Sequence, residues 1–331
     1  LGPDHGRTLA AGLSAQELEA RIELAQEDWE RVIAGRKGLH DAVRLFRAGE
    51  YAEAFENLVA HVELERELLG AGARLAAPLG STAAILHGMG EYTRAERVAR
   101  AGLKATLRER GAHNGLVARS LNDLALLSTA FRRFDDAEAL HANSLALRRE
   151  LYGDLGPEFA LALMHLAQLY RLRGDIQQAA DVVERAIVIL KESGSMPELL
   201  GILLLQRGTL EWTSGDEEGA RRILEDAIAT LGRAHGGDHA EHANALGTLA
   251  DLERGEVNLE RARELAGESL AMLERLYEGS HPSKAIARHR LAMCLEVLGE
   301  LDRAEEAYRE ALVEMEASGS GESGDLARTL A

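Results

Sequence analysis

One short pattern recurs along the chain with an almost constant period, and this periodicity constrains the fold more than any other feature. A small residue is followed seven positions later by a turn and twelve positions later by an alanine. The turns are at Gly49, Gly90, Arg132, Gly174, Gly215, Val257 and Gly299, so successive intervals are 41 or 42 residues. The small residues are Ala42, Ala83, Ala125, Ala167, Gly208, Ala250 and Ala292, and the alanines are Ala54, Ala95, Ala137, Ala179, Ala220, Ala262 and Ala304. A fixed period in this range is the signature of a stacked repeat array.

Each repeat is expected to contain two antiparallel helices. Apolar residues recur at helical spacing over residues 121–130 and 163–172, and again over 134–149 and 176–190. Short turns separate these stretches, and the small positions mark where the first and second helix of a repeat approach closely. A large apolar residue usually stands two positions after the turn. Glu217 takes that place in the fifth repeat, which predicts a looser fifth hairpin.

The combination of a small residue, a Gly-x-Tyr turn and a following alanine resembles the tetratricopeptide repeat. A period of ~42 residues with longer helices is similar to the kinesin-light-chain type of this repeat. Linkers such as Gly279-Ser280-His281-Pro282 resemble the linker of that family. The resemblance covers roughly residues 37–317. It implies an all-α, right-handed α-solenoid (a superhelix) of about seven antiparallel hairpins.

Two further segments are predicted outside the repeats. Residues 1–36 are expected to form a linker and a long capping helix, with Ser14 as its N-cap and Glu17 completing a capping box. Residues 318–331 are expected to form a Gly/Ser loop and the start of a further helix or a C-terminal tail. Both ends look like pieces of repeats, so the array is expected to be cut from a longer protein. A processed start and an ordinary polar tail are the alternative.

Charge and composition limit the classes of partner that the chain is expected to bind. A net charge of −17 over 331 residues argues against non-specific binding to nucleic acids or anionic membranes. No run approaches the 18 consecutive apolar residues of a membrane span. Cys294 is the single cysteine, so it cannot form an internal disulfide, and a cytoplasmic setting is predicted. Basic residues are mostly arginine, which suggests a bacterial source.

No catalytic or metal-binding arrangement is expected. His235, His239 and His242 have suggestive spacing, but Gly236 and Gly237 would break the helix needed to align them. A dinucleotide-binding fingerprint requires a strand before its glycines. No strand is predicted before the glycines of residues 318–324, so they are not interpreted as such a fingerprint. The chain is therefore predicted not to be an enzyme and to bind neither a metal nor a cofactor. Any catalytic domain is expected to lie outside this chain.

The remaining candidate site is a groove that the resemblance assigns to the concave face of the first helices. The positions around each small residue give Arg119, Asn122, Leu161, Met164, Gln168, Arg171, Leu205, Trp212, Asn244, Arg254 and His289. Aromatic and arginine side chains dominate binding hot spots, and arginine binds carboxylates through paired hydrogen bonds. The family's groove asparagine is matched at Asn122 alone, which speaks against kinesin-like cargo peptides.

The predicted function is a protein- or peptide-binding scaffold, the sensor or docking region of a larger bacterial regulatory protein that acts in signalling. A stand-alone peptide-responsive regulator and an accessory subunit of an enzyme are the alternatives. Self-association through exposed terminal repeats is a further possibility.

Overall fold

The structure is a computed structural model and describes residues 26–47, 50–69, 75–256 and 258–317. All regular structure in these ranges is helical. The helices are α1 Gln26–Arg47, α2 Tyr51–Leu69, α3 Ala76–Gly88, α4 Tyr92–Arg110, α5 Gly115–Ala130, α6 Phe134–Tyr152, α7 Pro157–Arg173, α8 Ile176–Ser193, α9 Pro197–Ser214, α10 Glu217–His235, α11 Ala240–Gly255, α12 Leu259–Leu276, α13 Pro282–Val297 and α14 Leu301–Ala317.

The helices belong to two compact units that divide within α6, between residues 147 and 148. In the first unit, α1 packs on α2 and α3 on α4, and the Ser144 hydroxyl of α6 donates to the carbonyl of Ala118 in α5 over 2.7 Å. In the second unit, α7 packs on α8, α9 on α10, α11 on α12 and α13 on α14. The predicted all-α fold of stacked helical hairpins is confirmed.

The periodic small residues lie where the two helices of a hairpin cross. All seven small positions and all seven alanines of the repeat are buried, from Ala42 to Ala304. Their small side chains allow the helices to approach closely, and a larger side chain at such a crossing would be overpacked. The packing role that the period predicted for these positions is therefore confirmed.

The turns between paired helices use left-handed backbone. Gly90, Gly174, Gly215 and Gly299 have φ values from 76° to 95°, which glycine adopts without steric cost. Arg132 takes the same place between α5 and α6 with φ 56°. The turns at Gly49 and Val257 lie outside the described residues.

The fifth hairpin, α9 with α10, is tightly packed, so the prediction that Glu217 loosens it is wrong. A Cβ atom added to Gly201 would lie 2.5 Å from Leu231, and one added to Gly208 would lie 2.8 Å from Leu224. Both leucines are fully buried. The two glycines thus bring α9 close to α10, although Glu217 stands where other repeats have a large apolar residue.

At the amino-terminal side, α1 runs without interruption from Gln26 to Arg47. It therefore crosses residue 36, the predicted end of the capping helix. The predicted cap at Ser14, the capping box with Glu17 and the segment 318–331 lie outside the described residues, so these assignments stay predictions.

Two linkers of the second unit share one local structure. His239 caps α11 by accepting a hydrogen bond from the backbone N–H of Glu241 at its Nδ1, and His281 caps α13 in the same way from Ser283. Each capping imidazole stacks on an aromatic ring four residues earlier: His239 on His235, with ring centroids 3.5 Å apart, and His281 on Tyr277, at 3.7 Å. The linker histidines therefore have a structural role as helix caps.

Candidate functional site

The predicted binding residues all lie on the first helix of their hairpins. Arg119 and Asn122 are on α5 in the first unit, and the others are on α7, α9, α11 and α13 in the second. Arg119, Gln168, Arg171 and Asn244 are exposed, and Leu161, Met164, Trp212, Arg254 and His289 are half-buried. These nine side chains are accessible to a partner.

Two of the predicted residues are buried. Leu205 is 7% exposed and Asn122 is 3% exposed. The Oδ1 atom of Asn122 is buried without a hydrogen-bond partner, which is unusual because buried polar atoms are ordinarily satisfied. Contact between a partner and either residue would require a change in the surrounding packing.

The three arginines of the predicted site are free of acidic partners. Arg119, Arg171 and Arg254 form no ion pair among the described residues. Many other arginines are paired, such as Arg133 with Glu96 at 2.8 Å and Arg275 with Asp238 at 2.6 Å. An unpaired guanidinium retains all its donors for a carboxylate of another molecule.

The acidic side chain one turn before Arg254 on α11 pairs with a different arginine. The carboxylate of Asp251, one turn earlier on α11, accepts a hydrogen bond from Nε of Arg290 on α13 at 2.9 Å. The guanidinium of Arg290 lies over Gly247, where an added Cβ would be 2.5 Å from its Nη1. Nε of Arg254 is buried and has no hydrogen-bond partner.

Tyr308, Glu296 and His289 form a further set of contacts on α13 and α14. The Tyr308 hydroxyl donates to Glu296 over 2.7 Å, and the ring of His289 lies 5.4 Å from the ring of Tyr308. Burial and the hydrogen bond to Glu296 raise the pKa of Tyr308 to about 12, so the phenol stays protonated. Burial also lowers the pKa of His289, which leaves its imidazole neutral at neutral pH.

This arrangement is suited to binding and offers no activated nucleophile. Cys294 is buried on α13, and burial raises the pKa of its thiol, so the reactive thiolate is disfavoured. Arg254 supplies a positive charge on α11, on which Asp251 also lies.

Sequence reasoning missed a buried carboxylate in the second unit. Glu253 is 1% exposed and accepts hydrogen bonds from Nε of Arg221 at 2.8 Å and from the amide of Asn258 at 2.6 Å. Burial raises its pKa, but these hydrogen bonds outweigh burial and hold the pKa below its ordinary value. It lies at an open cleft of about 540 Å³ that Arg261 also lines. No motif marks Glu253, because its partners lie on α10 and at the residue that precedes α12.

The linker histidines lie closer together than the sequence predicted. The helix does break after His235, where Gly236 has φ 64°, but the linker folds back and stacks His239 on His235. Oε1 of Glu198 lies 3.9 Å from Nε2 of His235 and 3.7 Å from Nε2 of His239. The argument that the glycines keep these two imidazoles apart is therefore wrong.

Comparison with known proteins agrees with the helical hairpins. No helix in the part of the chain that the structure describes has the length and apolar character needed to cross a membrane. The sequence profile of the tetratricopeptide repeat family matches residues 116–192 and 249–312. No curated protein matches the chain in sequence.

Three solved structures share the fold at low sequence identity. BtubC (BKLC) from P. vanneervenii is 21% identical, with a TM-score of 0.57, over 69% of this chain and 90% of its own. A putative kinesin light chain with nearly identical TPR-like repeats from Podosopora anserina is 19% identical, with a TM-score of 0.50, over 60% and 93%. A Rap protein complexed with Competence and Sporulation Factor is 15% identical, with a TM-score of 0.56, over 80% and 75%.

Proposed function

Because the chain carries an array of tetratricopeptide repeats, we propose that it is a scaffold that binds a protein or peptide on the first helices of its hairpins. The partner presents one or more carboxylates, which Arg171 and Arg254 bind in the second unit; Arg119 offers a separate contact in the first unit. As a sensor or docking region, the chain serves a larger regulatory protein in bacterial signalling and works in the cytoplasm. The proposal assigns no catalysis to the chain itself.

The observation that carries the proposal is the absence of ion pairs at these three arginines among the described residues. Arg254 is half-buried, so its surroundings screen its charge less than water does and a carboxylate that reaches it interacts more strongly. Trp212, half-buried on α9, offers the aromatic surface that hot spots favour.

The acidic character of the chain bears on the partner's overall charge. At −17, the protein repels strongly acidic molecules at long range. The proposed partner is therefore near neutral or basic overall and contributes an isolated carboxylate, such as a chain terminus or a single acidic side chain, to the arginines.

A stand-alone regulator that responds to a peptide is the second candidate. It is favoured by the likeness to the Rap protein whose structure was solved in complex with Competence and Sporulation Factor. In that case a signal peptide alters the array and so releases a target.

Affinity capture with matched variants tests the proposed surface. The test variant is Arg171→Ala with Arg254→Ala, and the control is Arg97→Ala with Arg222→Ala, which changes the net charge equally at exposed arginines of second helices. Proteins captured from a lysate are identified by mass spectrometry, and the affinity of each purified candidate is then measured by calorimetry. We expect the test variant to bind at least about tenfold more weakly, as the loss of charge-assisted hydrogen bonds implies, and the control to bind normally. Equal binding by both variants would exclude this surface.

A further inference from the structure

The linker between α10 and α11 has side chains that its structural counterpart lacks. The equivalent positions 42 residues later are Tyr277 for His235, His281 for His239 and Ala240 for Glu198. Both linkers form the ring stack and the helix cap, so a tyrosine in the first ring position is sufficient for that structure. A histidine at position 235 is therefore not required for the stack or the cap, and Glu198 reaches this linker from the first turn of α9.

An unsatisfied buried atom marks the same place. Nε2 of His235 is buried and has no hydrogen-bond partner. The nearest carboxylate oxygen, Oε1 of Glu198, is 3.9 Å away, which is too long for a hydrogen bond. Buried polar atoms without a partner are rare in proteins and call for an explanation, such as an ion.

We propose that His235, His239 and Glu198 form a binding site for a divalent transition-metal ion of the Zn²⁺ class, which binds Nε2 of each imidazole and Oε1 of the carboxylate. These three ligand atoms lie within 4.8 Å of one another. Two imidazoles with one carboxylate are an established ligand set for zinc, with a fourth position open to water or to a group from a partner. The site is independent of the proposed peptide-binding surface.

The ligand atoms are close together, but closing the site requires the imidazole stack to open. Zinc bonds of 2.0–2.2 Å in a tetrahedral arrangement place neighbouring ligand atoms about 3.3–3.5 Å apart. The distances from Glu198 to the two imidazoles are 3.9 Å and 3.7 Å. Because the rings are stacked and parallel to within 5°, an ion cannot lie in the planes of both, so one ring must turn out of the stack before both lone pairs point at the ion.

The helix cap changes when the ion binds. Nδ1 of His239 accepts the N–H of Glu241, so its proton is on Nε2 in the absence of metal. On binding, the metal takes the Nε2 lone pair, the proton moves through solvent to Nδ1, and the 3.3 Å cap bond to Glu241 is lost. The ion then connects the start of α9 to the linker between α10 and α11.

Titration of the chain with Zn²⁺ against a chromophoric chelator tests the site. His235→Tyr is the matched variant, because it recreates the stack of Tyr277 on His281 while removing one ligand, and Glu198→Gln removes another. We expect one zinc ion per wild-type chain and affinity at least about tenfold lower in each variant. Thermal unfolding without metal shows whether each variant is folded. The affinity for zinc is compared between the wild type and those variants that are folded, and one folded variant is enough for this comparison.

Co²⁺ provides a second readout of the same site. We expect intense visible absorption bands, typical of tetrahedral coordination, in the wild-type protein and their loss in His235→Tyr. Zinc should also raise the unfolding temperature of the wild type alone, because an ion bound only to the native state stabilises it. Equal affinity for Zn²⁺ in the wild type and in folded variants would overturn the proposal, since the bound ions would then lie elsewhere.

Discussion

At the scale of single residues, the carboxylate of Glu253 is buried in the second unit and needs hydrogen-bond partners to remain charged there. Its side chain is 1% exposed and depends on Arg221 and Asn258 for its hydrogen bonds. Replacing Glu253 by Gln keeps the shape but removes the charge that Arg221 pairs with. We expect a loss of about 1.5–3 kcal/mol in the free energy of unfolding at pH 7, measured by urea denaturation. Glu225→Gln, at an exposed partner of Arg261, should cost less than about 1 kcal/mol.

The pH dependence of that difference follows from the pKa of Glu253, which the fold lowers. A carboxyl whose folded pKa is depressed contributes stability above its unfolded pKa and loses it as the pH falls through the folded pKa. The stability gap between wild type and Glu253→Gln should therefore narrow below about pH 4. A gap that stays constant from pH 7 to pH 3 would contradict the assignment.

Residues also show what a sequence pattern can and cannot predict. The positions of Arg119, Arg171 and Arg254 follow from the repeat register, and all three are accessible. The isolation of Arg254 does not follow from it, because Arg290, 39 residues from Asp251, takes the nearby carboxylate. The repeat register also placed Asn122 in the groove, but its side chain is buried. The register does not predict this burial, because burial depends on packing against neighbouring helices.

At the scale of helices, close approach of α9 to α10 depends on glycine. A Cβ atom at Gly208 would lie 2.8 Å from Leu224, which is fully buried and has little room to move. We expect Gly208→Ala to destabilise the protein by about 1–2 kcal/mol, because overpacking exceeds the gain in helix propensity. Gly267→Ala in α12 is the control, since nothing lies within 4 Å of the added atom. It should stabilise by about 0.5–1 kcal/mol. Thermal or urea unfolding of both variants measures the contrast, and the same sign for both would contradict it.

The sequence predicts helices better than it predicts the connections between them. The period of small residues determines which helices pair, because only small side chains fit at the crossings. The conformation of a linker depends on backbone angles at individual glycines and on capping side chains. Gly236, with φ 64°, and the cap at His239 together turn the chain so that His235 and His239 meet, which residue spacing alone does not reveal.

At the scale of the whole molecule, acidic charge and ion pairs act in opposite directions. The chain has 55 acidic and 38 basic residues, so self-repulsion destabilises the folded state at low salt. Exposed ion pairs such as Arg31 with Glu67 stabilise it, but each contributes little. Added salt screens both effects, since the Debye length falls from about 30 Å at 0.01 M to about 8 Å at 0.15 M. Because repulsion acts over longer distances than the pairs, we expect the unfolding temperature to rise over this range. Calorimetric melts in sodium chloride check this, with equal osmolarity of an uncharged solute as the control. A falling unfolding temperature would mean that the network of ion pairs outweighs the excess of 17 negative charges.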